Sequence, residues 1–262
     1  MKAKVNGVQL NYRIDGEGFP VVLTHGLGWN MHVWDNIANQ LTRESRVFRM
    51  DLRGFGDSDK PLQPELSIEL WAEDINALLE TLKVKGALIV GHSMAASITV
   101  KLALDHPDKA SALCLLAGAS KFGPEGQKIL SERAVIVERE GMSGIVDRIV
   151  ATNFPEAFVK ANPKTMEEAR RMLLSNNPHA YAQSCRAIIQ FDFTPDLPRI
   201  GWPTLIMAGE LDKVASPALS ESLNKAIPRS YLKILPDTGH LLPLEKPAEI
   251  GMLLKDFLKL LK

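Results

Sequence analysis

The sequence is poor in cysteine, has no long apolar run and carries no excess of either charge. Cys114 and Cys185 are its two cysteines, which are too few for a disulfide framework, so we expect a reduced, cytoplasmic protein. No apolar run reaches the roughly 18 residues of a membrane span, and the first residues lack the apolar stretch of a signal peptide. These features predict that the protein has no membrane partner.

The charge balance argues against nucleic acid as a partner. Lysine plus arginine and aspartate plus glutamate both number 31, so the chain has no basic excess to bind phosphates. His-Glu-x-x-His motifs and paired cysteines are also missing, so we expect no metal site and no cofactor. Hydrophobic residues make up 45% of the chain, which is usual for a globular protein with a sizeable core.

Short apolar segments alternate with amphipathic ones along most of the chain. This alternation predicts an α/β fold, with a mainly parallel sheet covered by helices on both faces. The predicted strands are Val8–Ile14, Pro20–Thr24, Arg46–Asp51, Ala87–His92, Ala112–Ala117, Thr204–Ala208 and Tyr231–Leu235. The predicted helices outside the central segment cover Trp34–Leu41, Ser67–Leu82, Met94–Leu104 and Pro247–Leu261, with Ser67 as an N-cap.

The segment 120–197 interrupts the alternation. It contains no convincing strand, and successive helical patterns are separated by Gly141, Pro155, Pro163 and Pro178. One interpretation is an extra helical layer. The one we favour is a helical cap (residues 120–197) inserted into a core domain made of residues 1–119 and 198–262, over the carboxyl ends of the strands.

A candidate nucleophile follows the strand Ala87–His92. There Gly91, Ser93 and Ala95 form a G-x-S-x-A pattern, a variant of the G-x-S-x-G nucleophile elbow. In such an elbow, the serine hydroxyl is exposed at a tight strand-to-helix turn. The pattern is short enough to arise by chance, so its weight depends on finding an acid and a histidine in suitable places.

Two later strand ends supply those groups. His240 lies in the loop after Tyr231–Leu235, and the loop after Thr204–Ala208 contains both Glu210 and Asp212. Both acids are candidates, and the spacing usual in the α/β-hydrolase fold, with Pro217 opening the next helix, favours Asp212. The order serine, aspartate, histidine is that of the α/β-hydrolase fold, so the expected catalytic residues are Ser93, Asp212 and His240.

A tetrahedral intermediate also needs donors for its oxyanion. The backbone N–H of Met94 lies at the amino end of the elbow helix, where the helix dipole favours negative charge. His25-Gly26-Leu27-Gly28 follows the strand Pro20–Thr24 directly, and its glycines allow the N–H of Leu27 to point into the site. Leu27 and Met94 are therefore the predicted oxyanion hole.

Residues near these loops and in the segment 120–197 are candidates for a substrate pocket. An arginine facing the pocket would favour a substrate that carries a carboxylate, and Arg186 is the arginine that we expect there, although a solvated helix face is an equally good interpretation. The candidate wall residues are Trp29, Asn30, Phe122, Tyr181, Arg186 and Leu241.

Taken together, these motifs resemble the α/β-hydrolase superfamily over nearly the whole chain. The segment Asp51–Ser58 resembles the D-x-R-G-x-G-x-S loop of that superfamily, in which the arginine and aspartate brace loops beside the site. Within the superfamily the chain is similar to small capped esterases and lactonases, and Tyr181–Ile188 is similar to the cap helix of 3-oxoadipate enol-lactonases. Ala95 and Ala96 replace the paired glycines usual in the family.

The resemblance implies a serine hydrolase that cleaves a small carboxylic ester or lactone through an acyl-enzyme. Three alternatives remain open: a carbon–carbon bond hydrolase of ring-cleavage products, a cofactor-free haloperoxidase or perhydrolase, and a non-catalytic ligand receptor on the same fold. Leu241 stands where the carbon–carbon hydrolases usually carry tryptophan, which disfavours the first of these. The sequence does not define the oligomeric state.

Overall fold

A computed structural model describes residues 1–61 and 63–261. Its centre is an eight-stranded sheet in the order β1-β2-β4-β3-β5-β6-β7-β8. The β1–β2 and β2–β4 pairs are antiparallel, and all pairs from β4 to β8 are parallel. The strands are β1 (Lys2–Val5), β2 (Val8–Asp15), β3 (Phe19–Thr24), β4 (Ser45–Met50), β5 (Ala87–His92), β6 (Ala110–Leu116), β7 (Thr204–Gly209) and β8 (Ser230–Leu235).

Helices flank this sheet, and the predicted α/β class is confirmed. Helix α1 packs against α11 and α2 packs against α3. The helices of the described residues are α1 (Asp35–Leu41), α2 (Ile68–Thr81), α3 (Met94–Asp105), α4 (Pro124–Glu140), α5 (Val146–Asn153), α6 (Glu156–Ala161), α7 (Pro163–Leu174), α8 (Pro178–Gln190), α9 (Pro217–Ala226), α10 (Leu242–Glu245) and α11 (Pro247–Lys259).

The burial of each strand follows its place in the sheet. All six residues of β5 and of β7 are buried, because parallel strands between two helical layers have no solvent face. Strand β8 forms the edge and alternates between more and less buried positions, so that Tyr231 is exposed. Continuous apolar runs therefore mark the strands whose carboxyl ends meet at the middle of the sheet.

The element boundaries differ from the predictions at a few places. An additional strand, β1, pairs with β2 at the amino end of the chain. The segment predicted as one helix over Trp34–Leu41 begins with a 3₁₀ turn at Met31–Trp34, and α11 ends at Lys259. The predicted N-cap is confirmed, since the Ser67 hydroxyl accepts a hydrogen bond from the N–H of Leu70 at 3.1 Å.

Helices α4 to α8 occupy the segment between β6 and β7, and no strand lies among its residues 120–197. Within the segment, α4 packs along α8 and α5 packs against α7. Its division from the core as a separate cap stays a prediction. Among residues 1–61 and 63–261, no helix is both long and apolar enough to span a bilayer.

Candidate active site

Ser93 lies at a strained turn between β5 and α3. Its φ is +55° and its ψ is −117°, a conformation that L-residues rarely adopt. The turn is so tight that a Cβ on Gly91 would lie 2.1 Å from the carbonyl oxygen of Ala95. Ala96 packs where Gly118 leaves room, since a Cβ on Gly118 would approach that of Ala96 to 2.7 Å. The elbow geometry thus forms with alanines at positions 95 and 96.

His240 connects Ser93 to Asp212. The Nε2 atom of His240 lies 3.0 Å from Ser93 Oγ, and its Nδ1 lies 2.8 Å from Asp212 Oδ2. Since an ionised carboxylate only accepts, Nδ1 carries the proton and Nε2 is free to accept the serine proton. The Asp212 side chain has no exposed surface and that of His240 is 4% exposed. The three groups can act as nucleophile, base and orienting acid.

The structure also distinguishes between the two acids predicted after β7. Asp212 faces His240, and its other oxygen accepts the N–H groups of Val214 and Ala215 at 2.7 and 2.9 Å. Glu210 is exposed and instead accepts the N–H of Asp237 at 3.1 Å. Backbone donors therefore fix the Asp212 carboxylate, while Glu210 supports the neighbouring loop.

The loop that carries His240 is held by His92 and by the segment 120–197. The ring of His92 is fully buried, and burial lowers its pKa to about 3, so it is neutral. Its Nε2 donates to the carbonyl of His240 at 2.8 Å. The N–H of His240 donates in turn to the carbonyl of Asn153 at 2.8 Å. Both ends of the histidine's backbone are therefore fixed.

Glu245 lies beneath the same loop. Its Oε2 accepts the N–H of Gly239 at 2.7 Å, while Oε1 has no hydrogen-bond partner among the described residues. Burial raises the pKa of Glu245 to about 7, against the opposing effects of the Gly239 and Leu241 backbones and of His240. A carboxyl group that titrates near neutral pH therefore lies next to the base.

The predicted oxyanion loop is a tight turn from Gly26 to Trp29. The N–H of Trp29 donates to the carbonyl of Gly26 at 3.3 Å, and Gly28 at the third position has φ +79°, as in a type II turn. The Gly26 carbonyl also binds Nδ1 of His25 at 2.8 Å. Because the peptide is trans, its N–H, that of Leu27, points away from this carbonyl. No described acceptor takes it, and Leu27 lines the same cavity as Ser93.

His25 can make this contact in only one tautomer. Its Nε2 accepts the N–H of Leu52 at 3.0 Å, so Nδ1 carries the proton that binds the Gly26 carbonyl. Burial lowers the pKa of His25, which keeps the ring neutral and this arrangement in place. Met94, the first residue of α3, supplies the second candidate donor because the first N–H groups of a helix have no intrahelical acceptor.

Ser93 and His240 line a cavity of about 850 Å³, its open mouth included. Most of the wall is apolar or aromatic, and it includes the predicted residues Leu27, Trp29, Met94, Phe122 and Tyr181. No aspartate or glutamate of the described residues lines it. The charged side chains on the wall are Arg133, Arg148 and Lys213, so the cavity has a cationic character in a chain of zero net charge.

Arg133 is the buried member of these three, and sequence reasoning missed it. Its residue is 6% exposed; Nη2 donates to Thr152 at 3.3 Å, and Nε has no partner among the described residues. Burial raises the pKa of the neighbouring Tyr181, and the charge of Arg133 and its hydrogen bond to Tyr181 act against this rise. A buried guanidinium is costly unless an anion meets it. Arg133 lines the cavity, so its positive charge can attract a carboxylate there.

Three predicted wall residues are corrected. Arg186 points away and forms a bidentate pair with Glu138 at 2.7 and 2.8 Å, with 46% of its side chain exposed. The Asn30 side chain accepts the N–H of His32 at 3.0 Å and caps the 3₁₀ turn. Leu241 is fully buried in the core, directly before α10. None of the three lines the cavity.

The segment Asp51–Ser58 braces the site, as the resemblance implies. Asp51 accepts the N–H groups of Met31 and Asp57 at 2.8 and 2.9 Å. Arg53 is buried with Asp74, at 2.6 and 2.7 Å. This segment therefore contributes structure and no side chain to the cavity. No group of three or more metal-ligating side chains occurs in the described parts of the chain.

Comparisons with known proteins place this geometry in context. The model of the alpha/beta hydrolase fold family matches residues 20–247. Among curated proteins, 3-oxoadipate enol-lactonase 2 of Acinetobacter baylyi is 28% identical over 242 residues, which are 92% of this chain and 89% of that protein.

Solved structures give the same result. The enol-lactonase of Burkholderia xenovorans LB400 superposes with a TM-score of 0.94 at 31% identity, over 99% of this chain and all of that one. A thermophilic esterase of Thermogutta terrifontis, solved with malate bound, superposes with a TM-score of 0.92 at 28% identity, over 99% and 97% of the two chains.

Proposed function

The chain belongs to the alpha/beta hydrolase fold family, and on that premise we propose that it is a serine hydrolase that cleaves small carboxylic esters or lactones. The observation that carries the proposal is the hydrogen-bonded series Ser93–His240–Asp212, with distances of 3.0 and 2.8 Å, on the wall of a cavity. The similarity to enol-lactonases and an esterase supports the same reaction class.

In the first step, Ser93 Oγ attacks the carbonyl carbon of the substrate while His240 Nε2 takes the hydroxyl proton. The N–H groups of Leu27 and Met94 stabilise the oxyanion, which strengthens their hydrogen bonds as charge develops. Asp212 stays ionised and stabilises the imidazolium. His240 then gives its proton to the leaving alkoxide, and the acyl group remains on Ser93.

In the second step, water replaces the alcohol. His240 accepts a proton from the water as its oxygen attacks the acyl-enzyme, and the same donors hold the second oxyanion. The ester bond to Ser93 breaks, His240 returns the proton to Ser93 Oγ, and the carboxylic acid leaves. For a lactone, the alcohol and acid belong to one product molecule, which leaves after this step.

Arg133 supports a substrate that carries a carboxylate besides the scissile carbonyl. A guanidinium binds a carboxylate through charge-assisted hydrogen bonds, and the mostly buried Arg133 places this positive charge on the cavity wall. The absence of acidic side chains from the described cavity wall supports the same class. The expectation first attached to Arg186 is thus transferred to Arg133.

We further propose that residues 120–197 act as a cap on a core made of residues 1–119 and 198–262. Leu130, Arg133, Ile149 and Tyr181 of the segment line the cavity together with core residues, which supports this division. In this arrangement the core carries the reacting groups and the cap closes the space around the substrate.

The test is hydrolysis of p-nitrophenyl acetate by the wild type and by Ser93→Ala. We expect the substitution to remove at least about 10⁴-fold of kcat, because the nucleophile and base act as a unit. A fluorophosphonate probe should phosphonylate Ser93 of the wild type with loss of fluoride, so that the protein gains the mass of the probe less HF. Undiminished turnover by Ser93→Ala would overturn the proposal.

Ser97→Ala is the matched control. Ser97 lies one turn further along α3 and does not line the cavity, so its hydroxyl should be dispensable. Its kcat should equal that of the wild type. A single slow turnover with retained product in the wild type would instead indicate the receptor alternative.

A further inference from the structure

Asn176, just beyond the end of α7, connects the segment 120–197 to the oxyanion turn. Its side-chain Nδ2 lies 2.7 Å from the carbonyl oxygen of Gly28, 2.9 Å from that of Leu173 and 3.1 Å from that of Met172. All three partners are acceptors, so the group facing them is the amide NH₂. The residue is 7% exposed. One side chain therefore ends a helix and binds the turn Gly26–Trp29.

The Gly28 carbonyl belongs to the peptide that closes this turn. The N–H of that peptide is the N–H of Trp29, which donates to the Gly26 carbonyl at 3.3 Å. The Gly26 carbonyl in turn shares its peptide with the N–H of Leu27. Two rigid peptide planes therefore lie between the amide of Asn176 and the proposed oxyanion donor.

The turn depends on such support for two reasons. Its closing hydrogen bond of 3.3 Å is long, and Gly28 is free to adopt other backbone conformations. The helices α7 and α8 also lie directly against it, since a Cβ on Gly28 would meet Tyr181 Cε2 at 2.9 Å and Leu173 Cδ2 at 3.2 Å. Loss of the Asn176 donor would leave the Gly28 carbonyl buried without this partner.

We propose that Asn176 is a positioning residue for the oxyanion hole: its hydrogen bond to the Gly28 carbonyl holds the turn that directs the N–H of Leu27 into the cavity. This inference rests on the proposed hydrolase function. It gives the helical segment a role in the chemical step, in addition to its role in enclosing the substrate.

The experiment compares Asn176→Leu, which keeps the branched shape of the side chain and removes both N–H donors, with the wild type on p-nitrophenyl acetate. Removal of an oxyanion donor costs about 10²–10³-fold in kcat; misplacing one donor should cost about 10-fold, with KM within about twofold. Binding of phenylboronic acid, which forms a tetrahedral adduct with Ser93, should weaken by a similar factor, about 10-fold.

Asn162→Leu is the matched control. Asn162 ends α6 as Asn176 ends α7, with Nδ2 donating to the carbonyl four residues earlier, that of Phe158, at 2.9 Å, but it has no bond to the oxyanion turn. We expect its kcat and boronate affinity to equal those of the wild type. If Asn176→Leu does not fold, Asn176→Ser keeps a hydroxyl to end the helix and should show the same loss of kcat.

A second readout does not require catalysis. Hydrogen exchange at the N–H of Trp29, followed by NMR, should be at least about 10-fold faster in Asn176→Leu or Asn176→Ser than in Asn162→Leu. If the wild type is active and the Asn176 variants keep its kcat and its exchange rate at Trp29, the inference is overturned and the proposed function is not. An inactive wild type with accelerated exchange in those variants would overturn the proposed function while supporting the contact between Asn176 and the turn.

Discussion

The strand-end loops of the sheet and the helices of residues 120–197 line one cavity, but their polar groups differ in whether they already have partners within the protein. In the loops, Ser93, His240 and Asp212 are hydrogen-bonded to one another at 2.8 and 3.0 Å. In the helices, Arg133 is buried with a donor that has no partner among the described residues. The groups proposed to react already satisfy each other, whereas the group proposed to select a substrate has no acidic partner on the described cavity wall.

This difference follows from what each group must do. A nucleophile, base and acid must have fixed geometry before the substrate arrives, because preorganisation lowers the barrier to the chemical step. A group that discriminates between substrates works best when the wrong ligand leaves it unpaired. Substitutions in the loops should therefore affect all substrates alike, and substitutions in the helices should affect some substrates only.

The largest effect should come from the loop after β7. Asp212→Asn keeps the size of the side chain but offers an amide to His240, which favours the wrong imidazole tautomer, and we expect kcat to fall by about 10⁴-fold. Charged and neutral esters should lose the same factor. The measurement is kcat for p-nitrophenyl acetate and for p-nitrophenyl hemisuccinate, which carries a carboxylate on its acyl group.

Glu210→Gln is the control for Asp212→Asn. Glu210 binds the N–H of Asp237 and does not reach His240, so its kcat should remain within about twofold of the wild type. Equal losses in the two variants would contradict the assignment of Asp212 as the orienting acid.

A smaller and selective effect should come from the helices. Arg133→Leu removes the buried guanidinium, and we expect kcat/KM for the hemisuccinate to fall by about 10²-fold, as for a charged hydrogen-bond partner lost from a buried pair. The value for the neutral acetate should change by less than about threefold. If the ratio of kcat/KM for the hemisuccinate to kcat/KM for the acetate is the same in Arg133→Leu and in the wild type, the proposed carboxylate site is contradicted.

Arg186→Leu is the control for Arg133→Leu. Its guanidinium pairs with Glu138 on the exposed face of α8, so it should leave the substrate ratio unchanged. If the ratio of the two kcat/KM values changes in Arg186→Leu and not in Arg133→Leu, the expectation from the sequence, that Arg186 binds the carboxylate, is correct after all.

The sequence predicts the loops better than it predicts the helices. Ser93 is recognisable because Gly91, the serine and Ala95 lie within five residues and the turn permits few other side chains. Asp212 and His240 follow strands whose apolar runs are clear, and parallel strands bring their carboxyl ends to one edge. Local patterns therefore carry most of the information about the proposed reacting groups.

The cavity wall depends on how the helices pack, which no local pattern defines. Arg133 lies on the buried face of α4, with Leu130, Ala134 and Val137. A charged residue on an otherwise apolar helix face is the signal that could have marked Arg133 as a functional candidate. Most of α8 is buried, and Arg186 is one of its exposed positions. Helical periodicity indicates which face is buried but not which cavity it meets.

The smallest expected effect concerns the stability of the loop region and its dependence on pH. Burial raises the pKa of Glu245 to about 7, so between about pH 4.5 and 7 the folded state keeps a proton that the unfolded state releases. Its contribution to the free energy of unfolding is therefore complete below this range and is lost as pH rises through it. Glu245→Gln removes this dependence. Between pH 6 and pH 8 the free energy of unfolding, measured with urea, should fall by about 1 kcal/mol more in the wild type than in the variant.

The exposed Glu221→Gln is the control. Equal slopes of the free energy of unfolding against pH for wild type and Glu245→Gln would show that Glu245 does not titrate in this range. Since Glu245 touches the His240 loop and does not line the cavity, a confirmed difference would assign this pH dependence to the loops rather than to the helices.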